Sequence, residues 1–246
     1  MTKVRTILEM GLREYARTPV LIALLLLLPA YIIVVFSWAV PSQPISIEVP
    51  GNQAIRFETT AVIAVMMTPV IAALIGGIAG LFLMQSAREV DTRLLTIGVS
   101  VHEIIVARTG VLILAATIAS IVSIVVMLFT YIPKHIVAFF VATILIGIMY
   151  GGIGAFIGLF VSRLAGVYII MFAPLMDLFL AQSPFAEQTP TIGVYLPGYY
   201  PMQLAFDAAF SPDIAIENLI GSIGYLLVIG VFVGASFYRR LRVNQT

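Results

Sequence analysis

SAREVDTRLLTIGVSVHEIIVAR, residues 86–108, is the stretch on which the reading of the fold turns. Uncharged runs flank it, over residues 59–87 before and 109–133 after. Between them stand Arg88, Glu89, Asp91, Arg93, Glu103 and Arg108, balanced in sign, with Leu94, Leu95, Ile97 and Val99 interleaved. Two membrane helices need only a short turn to reverse direction. This interval is much longer, and its mixture of charge and aliphatic surface suits docking to another protein. On composition alone a solvated connector with no partner is equally compatible.

Working outward, the rest of the chain has little polar surface. Hydrophobic residues make up 61% and charged residues 10% of the 246, with a mean hydropathy of +1.10. A soluble domain carries roughly 25% charged residues, so water cannot solvate this one. The class read from composition is an all-α membrane protein embedded in the lipid bilayer. A net charge of +1 and the lack of a basic stripe away from the membrane flanks argue against nucleic-acid binding. There are no cysteines, which removes disulfides and thiolate metal sites.

Six spans are expected, over approximately residues 19–40, 59–85, 104–131, 136–161, 164–180 and 219–238, each near the ~20 residues a bilayer requires. Residues 2–18 precede them as an amphipathic interfacial helix. Val4, Ile7, Leu8, Gly11, Leu12 and Tyr15 make its apolar stripe, opposite Lys3, Arg5, Glu9, Arg13 and Arg17. No cleavable signal peptide is expected, since six charged residues precede a span-length apolar run with no small-residue cleavage site behind it. Alternation in Ile45, Ile47 and Val49, with a Pro50-Gly51-Asn52 turn signal, predicts a small hairpin after the first span. Gly76/Gly80, Gly147/Gly151 and Gly154/Gly158 carry the spacing that lets helices approach closely. With both termini cytoplasmic, eleven basic residues fall inside and only Arg56 and Lys134 outside, accounting for all 13. That asymmetry is what orients a membrane protein.

The residues that chemistry would need are sparse. Both histidines, His102 and His135, lie in connections, and no cluster of acids or histidines sits within a span to hold a metal. A phosphate-binding GxxxxGK[ST] loop is missing. The chain therefore reads as a conduit or scaffold, not an enzyme, with no cofactor of its own. Asp177, with Pro174 in the same span, is the one charge inside a predicted span; a pathway role competes there with a cap near the surface. Met66 and Met67 could line an apolar path, although core packing explains them better. Residues 181–218 contain Phe185, Tyr195, Tyr199, Tyr200, Phe206 and Phe210 and no Lys or Arg; short re-entrant or interfacial helices on the outer side are expected there.

Several features in order resemble the permease subunit of ABC-2-type transporters, across nearly the full length. They are GLREYARTP running into a Leu-rich span, REVDTRLLTIGVSVHEIIVAR, MFAPLMDLFL in the fifth span, and VYLPGYYPMQLAF before the last. The family commonly has Gly-Thr-Leu, then Pro-Val-Ser and a Glu, in the inner connection. Here Arg93-Leu94-Leu95, Gly98-Val99-Ser100 and Glu103 stand instead, without the Gly-Thr step or the proline. The resemblance implies an exporter in a prokaryotic plasma membrane. It also implies a separate ABC ATPase subunit carrying ATP and Mg, and a second permease copy or paralogue with the path between them, lined by spans two and five. A coupling segment within residues 86–103 would meet the ATPase through Asp91, Arg93, Leu94, Leu95, Val99, Ser100, His102 and Glu103, with Arg5, Glu9, Arg13 and Arg17 as a second contact. A gradient-driven secondary transporter and a non-transport membrane scaffold are the alternatives. The first usually shows internal repeats, and none is convincing between residues 19–131 and 136–238.

Overall fold

A computed structural model describes residues 6, 9–10, 19–49, 53–96, 98–182 and 192–243. The interfacial helix expected over 2–18 lies outside them apart from Thr6, Glu9 and Met10, which are helical. The hairpin turn at 50–52 lies outside them as well. In chain order the helices are α1 (Pro19–Ala39), α2 (Thr59–Thr96), α3 (Val101–Met127), α4 (Ile136–Phe160), α5 (Arg163–Pro174), α6 (Tyr199–Phe210) and α7 (Ile216–Val243). A π-helical segment, Leu175–Ala181, continues α5, and a 3₁₀ turn covers Gly193–Tyr195. Strands β1 (Pro44–Val49) and β2 (Gln53–Glu58) pair antiparallel, from Pro44 opposite Glu58 to Val49 opposite Gln53. Five stretches are long and apolar enough to cross a membrane: Thr59–Ser86, Val101–Met127, Ile136–Phe160, Arg163–Ala181 and Ile216–Arg239. The protein is a helical membrane protein. In α1 the described apolar run, Leu27–Phe36, is shorter.

Helix α2 is the axis of the bundle. It is apolar on every side from Ala61 to Leu81 and buried throughout that length, as a helix without a polar face must be. Glycines let α4 reach its backbone. A Cβ on Gly76 would strike the Gly147 carbonyl, one on Gly80 the Gly151 carbonyl, and one on Gly154 the Gly77 carbonyl. The two helices run in the same direction, so these contacts recur turn after turn. The glycine spacings read from the sequence thus form one seam.

The connection expected over residues 86–103 is corrected by the structure. Helix α2 does not stop near Gln85; it runs 38 residues to Thr96, about 57 Å at 1.5 Å per residue. Charged residues do not end a helix, and Arg88, Glu89 and Arg93 are good helix formers. What ends it is Gly98, whose φ of +83° suits a glycine at the C-terminal cap. No atom lies within 4 Å of where its Cβ would be, so backbone conformation and not space requires glycine. Ser100 then caps α3. The Glu103 N–H donates to Ser100 Oγ at 3.3 Å, and the Ser100 N–H donates to Glu103 Oε2 at 2.9 Å. Both halves of a capping box are present.

At the other end, which carries the hairpin, α6 is inserted among the spans. Its last carbonyls, which a helix leaves unpaired, meet the turn between α3 and α4. The Lys134 ammonium donates to the Phe210 carbonyl at 2.7 Å, the Tyr131 hydroxyl to the Ala209 carbonyl at 3.1 Å, and the His135 N–H to the Ala208 carbonyl at 2.9 Å. His135 Nε2 donates to the Pro212 carbonyl at 2.9 Å. The lysine charge also sits at the negative end of the α6 dipole. Phe57 of β2 closes the cluster against Phe210 and Tyr131, at 4.6 and 6.5 Å between ring centroids.

Candidate functional site

Asp177 belongs to the π-helical segment and is 5% exposed. Pro174 has no N–H to continue the α-helical ladder, and the wider register that follows is closed by the Gln182 N–H donating to the Asp177 carbonyl at 3.1 Å. Its side chain is enclosed within the bundle. Asp177 lies about 21 Å along the chain axis from Arg163, and its partner Tyr150 about 21 Å along α4 from Ile136, at 1.5 Å per residue. Asp177 is thus four residues short of the Ala181 end of its span.

Three donors converge on this carboxylate. Oδ2 accepts from the Tyr150 hydroxyl at 2.5 Å and from the Gly198 N–H at 2.8 Å. Oδ1 faces the Gln182 amide at 3.4 Å, long for a hydrogen bond, and that amide donates more closely to the Gly193 carbonyl at 2.9 Å. Gly198 directly precedes α6, so the carboxylate stands at the positive end of that helix. A Cβ at Gly198 would lie 2.7 Å from Asp177 Oδ2, which makes glycine a condition of the approach. Gln182 Oε1 is buried with no donor among the described residues. The cluster thus joins α4, the π-helical segment and α6 at one point, satisfying the charge that burial would otherwise make costly.

A second carboxylate ties α6 to α7. Asn218 Nδ2 donates to Asp207 Oδ2 at 2.8 Å, and Asp207 is 3% exposed. Burial pushes its carboxyl above the ordinary aspartate range, with the Asn218 amide and the Ala215 N–H partly offsetting that.

The residues singled out in the sequence are dispersed. Asp91, Arg93, Leu94 and Leu95 lie on the last turns of α2; their side chains, and Arg5, Arg13 and Arg17, are outside the described residues. Glu9 is helical and exposed, and so is His102. Ser100 and Glu103 bond each other. Val99 is not on a free surface; it packs with Met84, Ile104 and Phe237. Met66 and Met67 are in the core, 0% and 2% exposed, and the most apolar window of α2 is buried throughout. Tyr150 and Gly198 were missed. Tyr150 reads as one more aromatic in a glycine-rich span, and only the pairing rule for an intramembrane acid signals that a donor must face Asp177.

These features define the class, a bundle of apolar helices with a buried polar cluster. No protein-family model matches the chain, and no curated protein is significantly similar to it.

Proposed function

We propose that this chain is the permease subunit of an ATP-driven ABC exporter, with α1 as a sixth span and both termini cytoplasmic. The observation that carries the reading is the extension of α2. The helix runs ten residues past its span, reverses at Gly98, and packs on the capped start of α3 through Met84 against Val99 and Ile104. A stiff hairpin of this kind transmits a rigid-body push from a soluble ATPase into the axis of the bundle. Asp91, Arg93, Leu94, Leu95 and His102 are the residues offered to that partner; Val99 and the cap hold the hairpin's shape. ATP and Mg belong to the ATPase. A second copy or a paralogue completes the path, and α5 with its π-helical continuation, where Tyr168, Phe172 and Met176 are exposed, lines it. Asp177 is a positioning residue that holds α6 across the outward end.

The test is co-expression with a candidate ATPase, scored by co-purification and efflux. Leu95→Asp and His102→Glu should each uncouple the complex, whereas Glu48→Lys on the hairpin should not. Glu103→Gln keeps the cap and should retain coupling. If Leu95→Asp and His102→Glu behave like the hairpin control, the coupling role is wrong.

One observation favours a second reading, a gradient-driven carrier. The N-terminus of a short inserted helix meets a buried carboxylate, and such carriers aim helix N-termini of this kind at anionic substrate groups. Transport by the purified chain in proteoliposomes with an ion gradient and no ATPase would establish that reading and remove the first.

A further inference from the structure

Helices α4 and α7 meet at Gly152, where a Cβ would lie 2.9 Å from Ile229 Cγ2. Toward their C-terminal ends, on the rim of the bundle, they frame a groove that holds a cavity of about 360 Å³. Phe156 and Phe160 of α4 form one wall, and Val231 and Phe232 of α7 form the other. Phe160 and Phe232 are 68% and 66% exposed, so the groove is open to the side. Farther along α7 the lining turns polar, first at Ser236 and then at Arg239, the last residue of the span. Val231 to Arg239 measures about 12 Å at 1.5 Å per residue, within the depth of one leaflet, half of ~30 Å. Arg239 is exposed and Ser236 half-buried. Among the described residues no hydrogen bond or ion pair engages either side chain.

We infer that this groove seats one anionic phospholipid, its phosphate on Arg239 and Ser236 and an acyl chain along Phe160, Phe156 and Phe232. The order of the lining carries the assignment. It is apolar at depth, then a hydroxyl, then a cation where the span ends, which is the order of groups along a lipid. A guanidinium presents a fork of N–H donors that fits phosphate oxygens. Ser236, three residues earlier, is its neighbour on the same helix face and adds a hydroxyl donor. No carboxylate lines the cavity, and no Asp or Glu occurs between Glu217 and Thr246, whereas Arg240 and Arg242 follow in the sequence. A headgroup ending in an ammonium finds no counter-charge here, so the net charge of the headgroup decides which lipid stays. A soluble acidic partner fits less well, because it could reach Arg239 but not the apolar walls that continue into hydrocarbon. The inference does not depend on the transport reading.

The experiment is native mass spectrometry of the full chain exchanged from phosphatidylglycerol or phosphatidylcholine vesicles, with thermal melting as the folding control. Retention of phosphatidylglycerol should exceed that of phosphatidylcholine about fivefold, the scale of one basic residue at a membrane surface. Arg239→Gln should remove most of that preference, Arg239→Lys keep part of it and Ser236→Ala lower it less, all at an unchanged melting temperature. Ala235→Phe, which fills the groove from its exposed side, should reduce retention of both lipids. Arg163→Gln is the charge control. Arg163 lies over the Phe82 ring, 4.1 Å from its centroid, and does not line the cavity, so the preference should survive its loss. Equal retention of the two lipids by the native chain overturns the inference. An equal loss of preference in Arg163→Gln and Arg239→Gln does so too, since the preference would then belong to surface charge at large. So does unchanged lipid retention in Ala235→Phe, including the case in which its oligomeric mass shifts and the groove proves to seat a second copy.

Discussion

Helices α2 and α7 are nearly equal in hydropathy, 2.3 against 2.1 over their spans, yet all of α2's most apolar window is buried and 6% of α7's is. In lipid, apolarity does not choose between centre and rim, because hydrocarbon is as good a surrounding as leucine. Nor do small residues by themselves. In helix α7 a Cβ on Gly221 would strike the Tyr200 ring, but Gly224, Gly230 and Gly234 have no atom of the described residues within 4 Å of a would-be Cβ. What distinguishes α2 is that its glycines face glycines, Gly76 against Gly147 and Gly80 against Gly151, so that two backbones touch. Position in this bundle is decided by matched pairs of small residues.

The most damaging way to test that contrast is Gly80→Leu, whose side chain meets the Gly151 backbone. Overpacking costs about 1–3 kcal/mol where side chains can yield; here a carbonyl must move, and loss of the folded protein is expected. Gly224→Leu on α7 should leave the melting temperature unchanged. Equal sensitivity at the two sites would end the distinction.

The polar cluster should come next. Tyr150→Phe removes a donor from a buried carboxylate, at a cost of about 1–3 kcal/mol. Asp177→Leu orphans the hydroxyl instead, and the double variant should cost less than the sum of the two, as coupled partners do. Additivity in thermal melts would show that the hydrogen bond is not a stabilising unit.

Ser100→Ala is expected to cost about 1 kcal/mol, typical of a lost N-cap, and to fray the start of α3 in hydrogen exchange while the α2–α4 seam stays protected. Exchange spreading into the seam would mean that the two regions are not independent. The smallest effect concerns Asp207. Its folded-state pKa is raised, chiefly by burial, so its contribution to stability is complete below the unfolded value of about 3.9. It is lost as pH rises through the folded value. Melting temperature should therefore decline over that interval relative to Asp207→Asn, which lacks the titration. Parallel pH profiles would contradict the assignment.

The sequence carried the seam and the acid more clearly than their surroundings. Gly76/Gly80 and Gly147/Gly151 are local spacings, and spacing survives without tertiary information. Asp177 stands out because a charge in an apolar run needs a polar partner. The end of α2 was misread because Arg88, Glu89, Asp91 and Arg93 resemble a solvated connection, although polarity says where a helix leaves the membrane, not where it stops. The stop was written in Gly98 followed by Ser100-x-x-Glu103, a capping signature. Enclosure of Met66 and Met67 was not legible, since it depends on which helices α2 meets. The contact between Gly198 and Asp177 joins residues far apart in the chain, and no local pattern anticipates it.

Helix α6 has a consequence for how the chain is made. Its 12 residues reach about 18 Å, too short to cross ~30 Å of hydrocarbon, and it includes the buried Asp207. Partitioning from an insertion channel into lipid cannot place such a segment. Tyr150 with Asp177 anchors one end and the Tyr131–His135 turn the other, both encoded upstream, and Asn218 of α7 adds a bond to Asp207 from downstream. It can settle only after α4 and the π-helical segment are in position, folding back from the far side of the membrane as a packing step. Biogenesis of this protein thus ends with a tertiary event after the threading of its spans, and that event is a point at which a quality-control protease could intervene.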